Sequence, residues 1–228
     1  ADAPVMVVHL TNRKAFEEVM RARMNGQKVY AETCPQYLLL DDSVYSKPDF
    51  EGAKYVCAPP IRKKADQDCL WKALANDQIQ TVATDQCSFT MEQKALGKDD
   101  FTKIPGGLPG VQTRGTLLYT YGVRTGRITQ EQMCRLLSEN AAKLYGVYPN
   151  KGVIREGSDA DIVVFDPEKE NVISAKTHLY HTDNNPYEGL KLHGDIDSVY
   201  LRGVHVVQDG KVILEKTGKY IKRGKNQM

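Results

Sequence analysis

Two short apolar runs each stop at a side chain able to bind a metal or move a proton. Pro4-Val5-Met6-Val7-Val8 ends at His9, and Ile79-Gln80-Thr81-Val82-Ala83-Thr84 ends at Asp85, after which the chain turns polar with Gln86-Cys87-Ser88. Runs of this length and β-branched content predict buried strands with His9 and Asp85 at their C-terminal tips. After the first run, Phe16, Val19, Met20 and Met24 fall at helical spacing, opened by Thr11-Asn12 and closed by Asn25-Gly26. A second strand over 28–33 follows, and strand, helix, strand with a short return predicts a parallel pair. A helix over 65–76, with Leu70, Trp71 and Leu74 facing inward, leads into the Asp85 strand.

Other stretches are less regular. Residues 34–62 form a connection too long for a simple turn, which is functional or packs as its own unit. Beyond Asp85 the loop carries Lys98-Asp99-Asp100 and Ile104-Pro105-Gly106-Gly107-Leu108-Pro109-Gly110. Adjacent glycines between prolines either bring bare N–H and C=O groups against a ligand or make an ordinary surface turn. Two helices follow, the second opened by a Thr129/Gln132 capping box and running through Met133, Leu136, Leu137 and Leu144 to Gly146. After Pro149 the pattern changes to short β segments over 160–166, 171–174, 198–202 and 204–212, with Asp209-Gly210 as a hairpin turn. A domain boundary is therefore expected near residue 150, between a unit over 1–150 and a β-rich unit over 151–228. The latter ends in a basic tail, Lys222-Arg223-Gly224-Lys225, expected to be mobile.

Composition narrows the class. With 228 residues, 41% of them hydrophobic, the chain can bury a sizeable core, and 31 basic against 29 acidic residues leave a formal charge of +2. That balance implies neither a nucleic-acid nor a membrane partner. No apolar segment approaches the length needed to span a bilayer, and no signal-peptide pattern is present. The chain opens without Met and directly on a strand, which reads as a fragment or processed product. Five cysteines, at 34, 57, 69, 87 and 134, are odd in number and form no C-x-x-C pair. They are expected to be reduced thiols, mostly buried, in a cytoplasmic protein.

An imidazole and a carboxylate presented at the C-terminal tips of parallel strands suit a borderline divalent cation. Taken singly, the same two residues describe a structural histidine and a turn-forming or helix-capping aspartate. His178 and His181 form an H-x-x-H within the β-rich region and read as surface or sheet histidines.

Eight segments in order carry a family resemblance: Val8-His9-Leu10-Thr11, Glu32-Thr33-Cys34-Pro35-Gln36-Tyr37-Leu38, Ala58-Pro59-Pro60-Ile61-Arg62, Thr84-Asp85-Gln86-Cys87-Ser88-Phe89, Asp100-Phe101-Thr102-Lys103-Ile104-Pro105, Ser138-Glu139-Asn140-Ala141-Ala142-Lys143, Gly157-Ser158-Asp159-Ala160-Asp161-Ile162 and Asn185-Pro186-Tyr187-Glu188-Gly189. The chain resembles the C-terminal half of the dihydropyrimidinase and hydantoinase branch of the amidohydrolase superfamily. The resemblance implies an α/β fold: the C-terminal part of a (β/α)8 TIM-type barrel, strands six to eight, followed by part of a small β-sandwich. It also implies two divalent metal ions, usually zinc, bridged by a carboxylated lysine that this chain lacks. His9 would be a metal ligand, and Asp85 both a metal ligand and the catalytic proton shuttle. Ala58 and Gly106 would be substrate-binding through their main chains, on a small cyclic amide, where Ser and Asn are familiar in the family. The full-length form would be a homotetramer.

Gln86 departs from that pattern, because the family commonly has His there, and this puts the orientation of Asp85 in question. The paired histidines of strand one, the bridging lysine and the strand-five histidine have no counterpart, so the segment should be inactive without the missing N-terminal half. Three strands cut from a barrel are also expected to expose Val7, Val8, Ile79 and Val82. Two alternatives stay open: a non-catalytic dihydropyrimidinase-related assembly protein, which retention of His9 and Asp85 argues against, and an allantoinase or dihydroorotase, against which Gln36-Tyr37 speaks.

Overall fold

The computed structural model describes residues 3–228. Its first sheet has three parallel strands, β1 (Val5–Val7), β2 (Val29–Thr33) and β3 (Thr81–Val82), in the order β1-β2-β3. Val5 pairs with Val29 and Val7 with Ala31, while Glu32 pairs with Thr81 and Thr33 with Val82. Both outer strands thus run parallel to β2, as the strand-helix-strand pattern predicts.

Helix α1 (Arg13–Met24) starts where Asn12 accepts the Ala15 N–H at 2.9 Å, and a left-handed Gly26 follows its end. Val19 is buried and Phe16 packs on the core, but Met24, expected on the same face, is 84% exposed. The 34–62 connection opens with α2 (Pro35–Leu39) and makes 3-10 turns at Asp42–Ser46 and Glu51–Tyr55. It is not a separate unit: Tyr37, Leu38, Tyr55 and Ile61 join Leu70, Trp71 and Leu74 of α3 (Lys64–Ala75) in one core. The Trp71 indole N–H donates to Leu38 O at 3.1 Å, satisfying a buried polar group while tying connection to helix.

The expectation that Ile79 and Val82 would face water is overturned. They are 0% and 1% exposed, in the same core as Leu70, Leu74 and Leu136. Helices cover them from within this segment, and Val7 of β1 is half-buried against the same core, so of the four only Val8, 41% exposed just past β1, faces water as expected, alongside Val5 at 50%.

After β3 a short helix, α4 (Met91–Lys94), is fixed by a full capping box between Thr90 and Gln93. Next comes α5 (Arg114–Leu118), running into a π-helical turn at Tyr119–Val123. The expected helix from Thr129 is present with its capping box as α6 (Gln130–Cys134), a π-helical stretch Arg135–Glu139 and α7 (Asn140–Leu144).

The second sheet is antiparallel, in the order β4 (Ile162–Val172), β5 (Lys191–Leu201), β6 (Val204–Gln208), β7 (Lys211–Val212). The two segments expected over 160–166 and 171–174 are largely one strand. One register shift falls between Val164 and Phe165 and another between Asp166 and Glu170, so Pro167 sits at an irregularity where its missing N–H is tolerated. Asp209 and Gly210 both take positive φ, 46° and 71°, as a two-residue hairpin turn requires. A small cluster of Leu117, Ile173, Tyr187 and Leu192 packs this sheet onto α5.

The tail has no helix or strand beyond Val212, yet it is docked rather than loose: Gly224 N–H donates to Gly146 O at 2.9 Å and Gln227 N–H to Lys143 O at 3.0 Å. Of the cysteines, all free, only Cys34 is buried; Cys57 and Cys69 are half-buried, and Cys87 and Cys134 lie exposed on a loop and a helix surface. Among the described residues no helix is long and apolar enough to cross a membrane.

Candidate active site

Because β1 and β3 both run parallel to β2, their C-terminal ends lie at one end of the sheet. His9 follows β1 there and Asp85 follows β3. Neither is the last residue of its strand: each takes a left-handed backbone, φ 42° for His9 and 50° for Asp85, which turns its side chain off the strand line. Histidine and aspartate are among the residues that tolerate this region best.

Hydrogen bonds on either side hold both turns. Next to His9, the Leu10 N–H donates to Glu32 O at 2.6 Å, and Thr33 Oγ1 donates to Leu10 O at 2.8 Å. Beside Asp85, Ala83 N–H donates to Thr33 O at 2.9 Å, Gln36 Nε2 to Thr84 O at 3.2 Å, and Cys87 N–H to Leu108 O at 3.1 Å. Gln36 is itself held by the buried Tyr187 hydroxyl at 3.4 Å. His9 is half-buried and Asp85 exposed, so the carboxylate is open to a reactant.

One wall near Asp85 is made of Cys34, Tyr37 and Cys57, whose ionisation is suppressed. Burial first, then the charges of Glu32 and Asp85, pushes the Cys34 thiol up. Burial likewise raises Tyr37 and Cys57, with Asp85 adding to each. The Tyr37 hydroxyl donates to Pro59 O at 2.8 Å, joining this wall to the Ala58 segment.

Ala58 and Gly106, both exposed, stand side by side. A Cβ built on Gly106 would lie 3.7 Å from Ala58 N, an ordinary contact, so a side chain fits at that position. Gly107 is different: its φ of 152° and a Cβ that would fall 2.2 Å from Cys87 O admit only glycine. Its N–H donates to Val56 O at 2.9 Å.

Gln86 is given a task of its own. Its Oε1 accepts the N–H groups of Gly110 at 3.1 Å and Val111 at 2.9 Å, fastening the glycine-proline loop to the strand tip that carries Asp85. His178 and His181 belong to neither sheet. His178 sits half-buried in the loop between β4 and β5, with Nε2 2.9 Å from Thr182 O, and His181 is exposed.

The group missed in the sequence is Lys94. Only 1% exposed, its Nζ donates to Pro105 O at 2.7 Å, Val56 O at 2.9 Å and Gly107 O at 3.1 Å. The Thr90/Gln93 capping box was the available signal for a helical turn here, though not for a buried ammonium.

Among the described residues no group of three or more His, Cys, Asp or Glu side chains could hold a metal ion. His9 and Asp85 have the right donor chemistry for a borderline divalent cation, but an imidazole and a carboxylate fill only half of a four-coordinate shell. The remaining donors must come from outside these residues.

Just beyond two strands of one parallel sheet the chain thus brings a histidine and an aspartate to the same end, beside loops with exposed main chain. The Amidohydrolase family model matches residues 4–210, and the chain belongs to that family. Its relatives lie in the hydantoinase and dihydropyrimidinase branch. The D-hydantoinase of Geobacillus stearothermophilus is 49% identical over 227 residues, which are 99% of this chain and 48% of the relative. Among solved structures, the dihydropyrimidinase from Brevibacillus agri superposes with a TM-score of 0.91 at 49% identity, covering 93% of this chain and 46% of that one. A D-hydantoinase from a Bacillus species gives 0.96 at 48% identity, covering 99% and 50%. The chain thus spans about half the length of the curated relatives it matches.

Proposed function

We propose that this segment is the C-terminal part of a metal-dependent cyclic amidase that hydrolyses the ring amide of dihydropyrimidines or hydantoins to N-carbamoyl amino acids. The observation that carries the reading is the placement of His9 and Asp85 at one end of the parallel sheet, with the paired Ala58 and Gly106 main chains on loops hydrogen-bonded to that end. In this reading β1, β2 and β3 are strands six, seven and eight of a (β/α)8 barrel, and β4 to β7 are part of a small β-sandwich beyond a boundary near residue 150.

His9 and Asp85 would help hold two divalent ions, zinc in the first instance, with a carboxylated lysine from the N-terminal half bridging them. Such ions polarise an amide carbonyl and acidify a bound water. Asp85 takes the proton of the attacking water and returns it to the ring nitrogen as the C–N bond breaks, which suits a carboxylate that is exposed and turned off its strand. Main-chain groups at Ala58 and Gly106 hold the cyclic amide, and the substitution of their side chains leaves those contacts intact. The neutral wall of Cys34, Tyr37 and Cys57 adds no competing charge. The full-length protein would be a cytoplasmic homotetramer.

Gln36, buried and bonded both to Thr84 O and to Tyr187, supports the hydantoinase reading over an allantoinase or dihydroorotase. The test is the full-length, metal-loaded protein assayed on dihydrouracil, hydantoin, allantoin and dihydroorotate. Turnover of the first two with loss on chelation is expected; a folded, metal-replete protein that opens none of these rings is the assembly-protein outcome and ends the proposal.

A further inference from the structure

Lys94 is a buried cation with no carboxylate paired to it among the described residues. Taking an ammonium out of water is costly unless its donors are all met. Here they are, by three main-chain carbonyls from two segments far apart in sequence: Val56 on one side, Pro105 and Gly107 on the other. A leucine or methionine would fill the space without desolvating a charge, but would leave Pro105 O and Gly107 O without a donor among the described residues.

The peptide geometry gives this arrangement a direction. In a trans peptide the C=O and the following N–H point opposite ways. Lys94 draws Pro105 O inward, so the N–H of Gly106 points outward, away from the ammonium. It draws Val56 O inward too, where that oxygen also receives the Gly107 N–H at 2.9 Å. The Gly106 and Ala58 N–H groups have no acceptor among the described residues, and both residues are exposed. The clamp therefore sets the Gly106 N–H directly, through Pro105 O, and holds Ala58 from one residue away, through the Val56–Cys57 peptide.

We infer that Lys94 is a positioning residue that fixes the spacing and peptide orientation of the Ala58 and Gly106 main chains against which the cyclic amide is bound. This rests on the proposed function above. The ammonium never touches substrate; it acts through the carbonyls of Val56, Pro105 and Gly107, and the thioether of a methionine cannot replace it because that side chain carries no donor.

The experiment compares Lys94→Met and Lys94→Gln with wild type in the full-length, metal-loaded enzyme. Lys94→Met is expected to raise KM for the cyclic amide by about tenfold or more, the worth of one oriented hydrogen bond, with a smaller change in kcat and unchanged metal content. Lys94→Gln keeps N–H donors and should recover part of the lost affinity. Amide exchange at Gly107 N–H, read by mass spectrometry, should quicken in Lys94→Met whether or not the protein turns over. A fall in melting temperature alone, with KM at the wild-type value, overturns the inference. So does unchanged Gly107 exchange. If wild type itself opens no ring, the functional reading fails separately, and exchange decides whether the clamp exists. If Lys94→Met does not fold, Lys94→Gln is judged by the same two readouts.

Discussion

His9 and Asp85 share a backbone state as well as a sheet end: each enters the left-handed region, at φ 42° and 50°, after a strand paired in parallel with β2. For most residues that region costs roughly 1–2 kcal/mol, and aspartate, asparagine and histidine bear it best. Two such turns at the same end of one sheet are the kind of local strain that accompanies a functional constraint.

Asp85→Asn in the full-length enzyme should therefore fold normally, since asparagine tolerates the same φ. The amide keeps an oxygen that can bind a metal but cannot take a proton. Metal content is expected to stay near wild type while kcat falls by about 10²–10⁴-fold. Elemental analysis beside steady-state kinetics decides it. Parallel loss of metal and activity would make Asp85 chiefly a ligand, and turnover near wild type would remove it from the mechanism.

Gln86→Ala removes the acceptor for both the Gly110 and the Val111 N–H. Val111 is 59% exposed, so water can take over part of the bonding, and the expected loss is about 1 kcal/mol. Exchange at Val111 N–H should accelerate, with a small fall in the melting temperature. Replacement by His would supply one acceptor nitrogen for two donors, so Gln86→His should lie between wild type and alanine. Equal exchange in all three would show that the loop is held by other contacts.

Elements set by local chemistry were legible. Asn12 caps α1 because its side chain reaches an N–H three residues on, and Thr129 with Gln132 marks α6 in the same way. Leu70, Trp71 and Leu74 fall on one helical face and are buried there. What failed needed knowledge of distant partners. Ile79 and Val82 are covered by helices of the same segment, and β4 continues through Pro167 because an irregular register excuses the missing N–H. In the site, His9 and Asp85 stood out as polar ends to apolar runs, whereas Ala58 and Gly106 came only from family resemblance. Lys94 was invisible for a physical reason: its partners are carbonyls, which every residue has, so no pattern of side chains announces it.

Burial pulls the pKa of Lys94 down to about 8 from 10.5, while three carbonyl acceptors favour its charged form. The thiols of Cys57 and Cys87 are its ionisable neighbours, and as thiolates they would raise it. Between about pH 8 and 10.5 the unfolded chain holds a proton on this lysine that the folded chain has released. Stability varies with pH as the protons bound in the unfolded state minus those in the native state, so this group contributes a gain in stability as pH rises through that window. Full-length wild type and Lys94→Met, compared by denaturant unfolding from pH 7 to 10, should differ in slope, the mutant lacking the upward contribution. Parallel curves would mean that Lys94 stays protonated throughout.

On its own, the 228-residue chain is expected to self-associate through an open sheet edge. Among the described residues β1 pairs only with β2, which leaves a row of backbone groups without strand partners along its other edge. A groove of about 770 Å³ lies beside it, lined by Val5, Val7, Ala15, Val19 and Val29 among others. Val163 on β4 is 56% exposed as well. Fully burying one valine is worth about 1.5–3 kcal/mol, and a whole domain is stable by roughly 5–15 kcal/mol. Covering even a few half-exposed valines and one strand edge therefore changes the balance substantially. The well-packed core around Leu70, Trp71 and Ile79 argues that the chain collapses rather than staying unfolded. Its open edge argues that it does not stop at a monomer. Sedimentation at low micromolar concentration should find self-association, or a dependence on an added N-terminal fragment of the full-length protein, and either should suppress exchange at the β1 amides. A monodisperse monomer with one sharp, reversible melt would show that β1 needs no partner, and the edge argument would be wrong.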